Sequence, residues 1–311
     1  MAHQPRPRFN ARTLEVLGAL SRRLPPSRNK NRLGRLAAYL LGNPPAAKGA
    51  MGDLRLWLRP ADRTASEAFW SGCFDEPLVE LLTALIQPGM IVVDAGANVG
   101  MVGLRLAARL RALGAGRVLC VEPIPANVRL LRASVQLNQL DRFCSVFEVG
   151  LADTTGAATL LAEGGHRRSG NAGLVAPSGR QRHLTKTTIL LRTLDDLLHD
   201  EGDPAIDLMK LDVEGAELAL LRGAARTIEN SRPLIFGEFH AKLMPRQGGT
   251  FVDVMKLLAP FGYRVLARAG PRHLVEVRPQ SGHGDVLLAT PEKLPHMIAH
   301  PNGEWRLDLL R

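Results

Sequence analysis

The ten residues Ile91-Val-Val-Asp-Ala-Gly-Ala-Asn-Val-Gly100 limit the fold of this chain more than any other stretch. Ile91, Val92 and Val93 read as a buried strand, because β-branched side chains suit a pleated surface. Gly96, Asn98 and Gly100 then break the extension. An apolar stretch of helical spacing follows from 99 to 113, with Leu104, Ala107, Ala108 and Leu110 on its inner face. Strand, glycine turn and helix in that order form the opening unit of a nucleotide-binding α/β sheet.

The alternation continues. Strands are expected at 118–122, 143–151, 206–212, 233–239, 263–267 and 284–288, and helices at 126–137, 194–198, 215–228 and 251–258. Such a text predicts an α/β protein with a Rossmann-like, doubly wound, mostly parallel sheet covered on both faces. Between these units, 156–192 reads as an inserted β-hairpin with a polar Gly/Arg/Ser-rich loop at 164–183. The expected organisation is a basic helical arm at 1–50, a helical lead-in at 51–89, the main domain at 90–295 and a tail at 296–311.

Charge matters mainly for the arm. The 311 residues carry a net +10, but residues 1–35 hold nine Lys/Arg against one acid, Glu15. That arm accounts for +8 and leaves only +2 for the remainder, so a basic total does not by itself imply nucleic acid. Leu14, Leu17, Leu20 and Leu24, and then Leu33, Leu36, Ala37 and Leu40, fall at helical spacing. Two short basic amphipathic helices follow, broken at Pro25-Pro26 and Asn43-Pro44-Pro45. They fit either a cap on the main domain or contact of residues 1–35 with an anionic membrane surface or an acidic partner. No run of about 18 apolar residues suggests a membrane span. The three cysteines, Cys73, Cys120 and Cys144, lack metal-ligand spacing and read as reduced thiols. The expected location is cytoplasmic, with the membrane periphery as the variant the arm allows.

Ligands of doubly wound sheets bind beyond the carboxyl ends of the strands. Here those ends carry acids. Asp94 closes the first strand, and Asn98 fills the place where a dinucleotide fingerprint needs its second glycine. A carboxylate repels a pyrophosphate but favours a cationic ligand such as S-adenosyl-L-methionine (SAM). Glu122, which ends the next strand, can accept both ribose hydroxyls. Asp153, in Gly150-Leu-Ala-Asp153, can accept from the adenine amine or simply serve the turn before Gly156. Asp212 ends a buried apolar strand and needs a partner, which the SAM ammonium or an acceptor hydroxyl would supply. Glu214 and Glu217 follow at a helix N-terminus, where acids oppose the dipole. Glu238 and His240, two apart at another strand end, share one side.

The ordered set resembles the FkbM-type methyltransferase family. It comprises Gly72-x-Phe74-x-Glu76, Val93-Asp-Ala-Gly-Ala-Asn-Val-Gly100, Glu122-Pro123 and Gly150-Leu-Ala-Asp153. Thr193-Leu-Asp-Asp196, Lys210-x-Asp-Val-Glu-Gly-Ala-Glu217 and Glu238-x-His240 continue it. The resemblance covers roughly 70–290 and implies a class I SAM-dependent fold, with O-methylation of a hydroxyl on a sugar, glycolipid or polyketide-type molecule. It implies a SAM site at Glu76, Asp94, Gly96, Ala97, Asn98, Gly100, Glu122, Pro123, Ala152 and Asp153. Asp212, Glu214, Glu238 and His240 are then the catalytic candidates, with His240 or Glu238 as base and no metal. An Asp212–Glu238–His240 metal site stands as the variant. An RNA or DNA methyltransferase is the enzymatic rival. It is disfavoured because acids, not an amide and a stacking ring, follow the fourth strand, and because aromatics are only 5%. A non-catalytic SAM-binding or membrane-surface module and a dehydrogenase complete the alternatives.

Overall fold

The computed structural model describes residues 9–25, 27–163, 184–270, 272–279, 284–294 and 306–309. The chain opens with α1 (Phe9–Arg22) and α2 (Arg28–Leu40), then β1 (Ala47–Met51), β2 (Leu54–Leu58), α3 (Ala65–Ser71) and α4 (Glu76–Leu85). The Ser27 side chain caps α2 by accepting from Lys30 N–H, and the Asp75 side chain caps α4 by accepting from Leu78 N–H. The lead-in is therefore not helical throughout, as the sequence reading had it. β1 and β2 make a hairpin whose free edge is taken up by a helix of the main domain, described below.

The main sheet begins at β3 (Ile91–Ala95), followed by α5 (Gly103–Leu113), β4 (Arg117–Val121), α6 (Pro125–Leu137) and β5 (Cys144–Phe147). The expected strand at 143–151 is divided. Its end, β6 (Gly150–Leu151), leaves the main sheet and pairs with the inserted hairpin of β7 (Gly156–Glu163) and β8 (Leu184–Arg192) in the order β6-β8-β7. The expected polar loop at 164–183 lies outside the described residues. There follow α7 (Leu194–Asp200), β9 (Leu208–Leu211), α8 (Glu217–Arg222), α9 (Ala225–Ser231), β10 (Leu234–Glu238), α10 (Phe251–Leu258), β11 (Arg264–Gly270), β12 (His273–Val277), β13 (Asp285–Ala289) and β14 (Arg306–Asp308).

Among the described residues the main sheet has nine strands in the order β14-β12-β11-β13-β10-β9-β3-β4-β5. β5, β4, β3, β9 and β10 run parallel, and β13 inserts antiparallel between β10 and β11. The fold is thus the expected α/β, doubly wound, mostly parallel sheet. The strand order reverses between β3 and β9, which opens a crevice at their carboxyl ends. Both sheet faces are buried. Val92, Val118 and Leu208 pack with Leu104 and Leu131 on one side, and Val93, Leu119 and Met209 with Leu220 and Val254 on the other. The edge of β2 is satisfied by α6, where Ser134 Oγ accepts from Trp57 N–H at 2.9 Å and Asn138 Oδ1 accepts from Arg55 N–H at 2.9 Å. No described helix is long and apolar enough to cross a membrane, and the three cysteines are free thiols.

Candidate functional site

The crevice is a cleft of about 430 Å³. Its floor is the loop after β3. Gly96 and Ala97 N–H both donate to Val121 O, at 2.9 and 3.1 Å, which fixes the loop against the end of β4. Gly96 has φ +74, and a Cβ there would stand 1.9 Å from Asp212 O, so only glycine lets this loop pass the end of β9. Asn98 also takes a left-handed conformation, φ 51, and its N–H donates to Glu122 Oε2 at 2.9 Å. The Asn98 Oδ1 atom is buried without a hydrogen-bond partner among the described residues, and Asn98 lines the cleft. It is an acceptor waiting for a donor.

Glu122 is buried at the end of β4 and lines the same cleft. Its Oε1 accepts from Ile124 N–H at 3.0 Å and from Asn127 Nδ2 at 2.9 Å. Asn127 Oδ1 in turn accepts from buried Arg59 at 2.7 Å, so the β1–β2 unit props the carboxylate from behind. Burial raises the Glu122 pKa, and the hydrogen bonds from Asn127, Ile124 and Asn98 oppose it. Pro123 lies beside it on the cleft wall.

Asp94 is placed differently from the expectation of a ligand-facing acid. It is completely buried beneath the glycine loop and does not line the cleft. Lys210 Nζ stands 3.0 Å from its Oδ1 and 3.5 Å from Asp212 Oδ2, and donates to Gly96 O at 3.2 Å. The cause is register: Asp94 on β3 pairs directly with Lys210 on β9, and Gly103 leaves room for the carboxylate below α5. Burial alone would lower the Lys210 pKa; Asp94 and Asp212 reverse this and raise it above the usual lysine range. Lys210 is the residue the sequence reading quoted without giving it a role. A lysine inside an otherwise apolar strand was the available signal, since a buried ammonium needs a carboxylate.

The rest of the cleft lining gathers acids. Asp212, Glu214, Glu238 and His240 all line the cleft, together with Leu160, Ile189 and Leu191 from the inserted hairpin. His240 Nε2 lies 2.7 Å from Glu238 Oε1, with both side chains about 40% exposed, so the pair is within reach of solvent or ligand. Glu214, at φ 54, is largely buried. Desolvation, then Asp212, Glu238 and Glu217, push its carboxyl up to about 7. Glu238 is raised as well, by burial first, while His240 opposes and Asp212, Asp285 and Asp75 add to the rise. Asp75 and Asp285, absent from the sequence reading, extend the acidic wall into an adjoining 120 Å³ recess that also holds Phe74 and Ala97. Asp75 caps α4 while Asp285 starts β13, so only the fold reveals them as neighbours. No three His, Cys, Asp or Glu side chains among the described residues are grouped to hold a metal ion.

Besides Asp94, four expected cofactor contacts, Glu76, Gly100, Ala152 and Asp153, line neither the cleft nor the recess. Glu76 makes a two-pronged ion pair with Arg105, each contact 3.2 Å. Gly100 faces the core, where a Cβ would meet Leu131 at 2.4 Å. Ala152 N–H donates to Arg192 O, and its own carbonyl backs onto Gly223, which breaks the expected 215–228 helix into α8 and α9. Asp153 sits exposed in the turn between β6 and β7.

Residues 94–265 match the family described as the methyltransferase FkbM domain. The chain is 28% identical over 181 residues to the methyltransferase sdnD of Sordaria araneosa, covering 50% of this chain and 66% of that protein. It is 26% identical over 222 residues to the 2-O-methyltransferase NoeI of Sinorhizobium fredii, covering 67% and 83%. The crystal structure of methyltransferase FkbM from Methylobacillus flagellatus superposes with a TM-score of 0.45 at 17% identity, covering 89% of this chain and 59% of that one.

Proposed function

We propose that this chain, which belongs to the FkbM methyltransferase family, transfers a methyl group from SAM to a hydroxyl of a sugar, glycolipid or polyketide-type acceptor. One observation carries the reading: a single cleft holds both the Glu122-braced glycine loop and the Glu238–His240 pair. The residues present fit the cofactor. Glu122 keeps one lone pair, on Oε2, for a ribose hydroxyl, and the orphaned Asn98 Oδ1 suits an ammonium donor. Lys210, which donates to the Gly96 carbonyl, is committed to Asp94 and Asp212, which argues against a pyrophosphate at the loop. When bound, SAM supplies a methyl carbon already activated by its sulfonium.

The chain's own work is then to position the acceptor and take its proton. Alignment of the reacting groups contributes about 7–11 kcal/mol when the geometry is right. A general base adds about 10²–10⁴-fold. With His240 Nε2–H donating to Glu238, the imidazole is held in the tautomer whose Nδ1 accepts the hydroxyl proton, and Glu238 stabilises the resulting cation. Glu214, with its carboxyl near 7, is the second base in reach of the same cleft. The relative named a 2-O-methyltransferase supports oxygen as the acceptor atom.

The test is incubation of the purified protein with methyl-labelled SAM and separate glycan, lipid and RNA fractions. Label in a glycan or lipid hydroxyl is expected. Label confined to RNA, or SAM bound without turnover of any fraction, would overturn the reading. If His240→Ala and Glu238→Gln both kept full turnover, the base would have to be sought at Glu214.

A further inference from the structure

We propose that the outer faces of α1 and α2 form a docking surface for an anionic membrane. Both helices rest on α3 through a glycine: Gly18 lies against Phe69 and Gly34 against Trp70. The faces turned away from α3 are apolar too. Leu17, Leu20 and Leu24 are 39%, 52% and 61% exposed, and Leu33, Leu36 and Leu40 are 66%, 52% and 73% exposed. Leu17 and Leu20 are three apart on α1, with Leu24 just beyond its end, and Leu33, Leu36 and Leu40 make one stripe on α2. Of the eleven large apolar side chains exposed among the described residues, eight fall between Val16 and Leu40. Exposure of this kind is concentrated here instead of scattered, which marks a binding surface.

Charge identifies the occupant. Arg12, Arg23 and Arg32 are exposed around these stripes. Arg22 and Lys30 are used internally, on Phe69 O and on Ser21 O and Leu24 O, so they tie the helices down. The lone acid of the arm, Glu15, accepts from Lys48 N–H, and with its charge counted residues 1–35 still carry +8. A leucine stripe edged by arginines and free of acids matches the boundary between acyl chains and anionic headgroups. A second copy of the chain would bring +8 against +8 and is disfavoured by repulsion. Nucleic acid would meet leucines where it needs polar donors. This inference stands on the arm alone and does not depend on the chemistry of the cleft.

The test is flotation of the full chain with phosphatidylcholine vesicles, with and without phosphatidylglycerol, at low and high salt. Binding is expected to be about tenfold or more stronger on the anionic vesicles and to weaken with salt. Leu33→Ser/Leu36→Ser/Leu40→Ser should abolish flotation and leave the thermal unfolding curve nearly unchanged, because these side chains are already more than half exposed. Arg12→Gln/Arg23→Gln/Arg32→Gln should remove the preference for anionic lipid. Failure to float with either vesicle, or equal flotation with both, overturns the proposal. So does a dimer in sedimentation that the triple serine variant dissolves, since a second copy would then cover the face.

Discussion

Lys210 is the residue on which the cleft floor rests. It compensates Asp94, whose carboxylate no other donor among the described residues reaches, and it holds the Gly96 carbonyl. Lys210→Met would leave a fully buried carboxylate alone, a change that costs about 3–5 kcal/mol when a buried pair is broken. Urea unfolding should show that loss, and Lys210→Met/Asp94→Asn should recover most of it. The pairing itself was open to reading from sequence only in part. Both residues sit in apolar strands, but a parallel strand is buried on both faces, so its pattern does not say which way Asp94 points. Glu214 gives a pH signature with a definite sign. Its folded pKa of about 7 lies above the ordinary 4.5, so the folded state holds the proton more tightly. The stability this confers is complete below 4.5 and is lost as pH rises through 7. Thermal unfolding should therefore show a decline between about pH 5 and about pH 8 that Glu214→Gln flattens.

At the scale of elements, the loop between β3 and α5 works only because two backbones nearly touch. Gly96→Ala meets both a left-handed φ and the Asp212 carbonyl, whereas Gly89 has φ +85 and open space around it. Gly89→Ala should cost only the conformational penalty, about 1–2 kcal/mol. Gly96→Ala should cost more and, on the proposed function, should also weaken SAM binding in calorimetry. Equal behaviour of the two variants would remove the close approach from the account. These loops and the strands they join were legible in the sequence, since β-branched runs ending in glycine or acid leave little choice. The β1–β2 hairpin was not. Ala47–Met51 has no β-branched residue, and β2 is held through its edge by Ser134 and Asn138, which lie some eighty residues away in the chain. The break between α8 and α9 was hidden for the same reason, because Gly223 stops the helix where Ala152 O crowds it. β12 and β14 extend the sheet with short strands whose pairing is tertiary.

For the molecule as a whole, charge is divided: acids line the cleft and arginines rim the far face of the arm. Asp75, Asp212, Glu214, Glu238 and Asp285 should repel anionic acceptors, so a phosphorylated acceptor should show a higher KM than its neutral counterpart. The division does not mean that the arm is a separate body. Ala11, Leu14, Phe69 and Trp70 belong to the same continuous core as Val92 and Leu104 under the main sheet. Leu14 is as completely buried as Leu104. An arm that folded as an independent cap would melt first and leave the sheet untouched. A shared core requires the opposite, namely that a cavity in α1 weakens everything at once. Leu14→Ala should shift the main unfolding transition in urea by about 2–5 kcal/mol, as a buried Leu→Ala does, and Leu104→Ala should shift it by a similar amount. Tryptophan fluorescence, to which Trp57 and Trp70 near the arm contribute, and far-ultraviolet circular dichroism, from the whole chain, should report one coincident transition in both variants. Two transitions in Leu14→Ala, with the dichroism midpoint unmoved, would mean that the arm folds on its own.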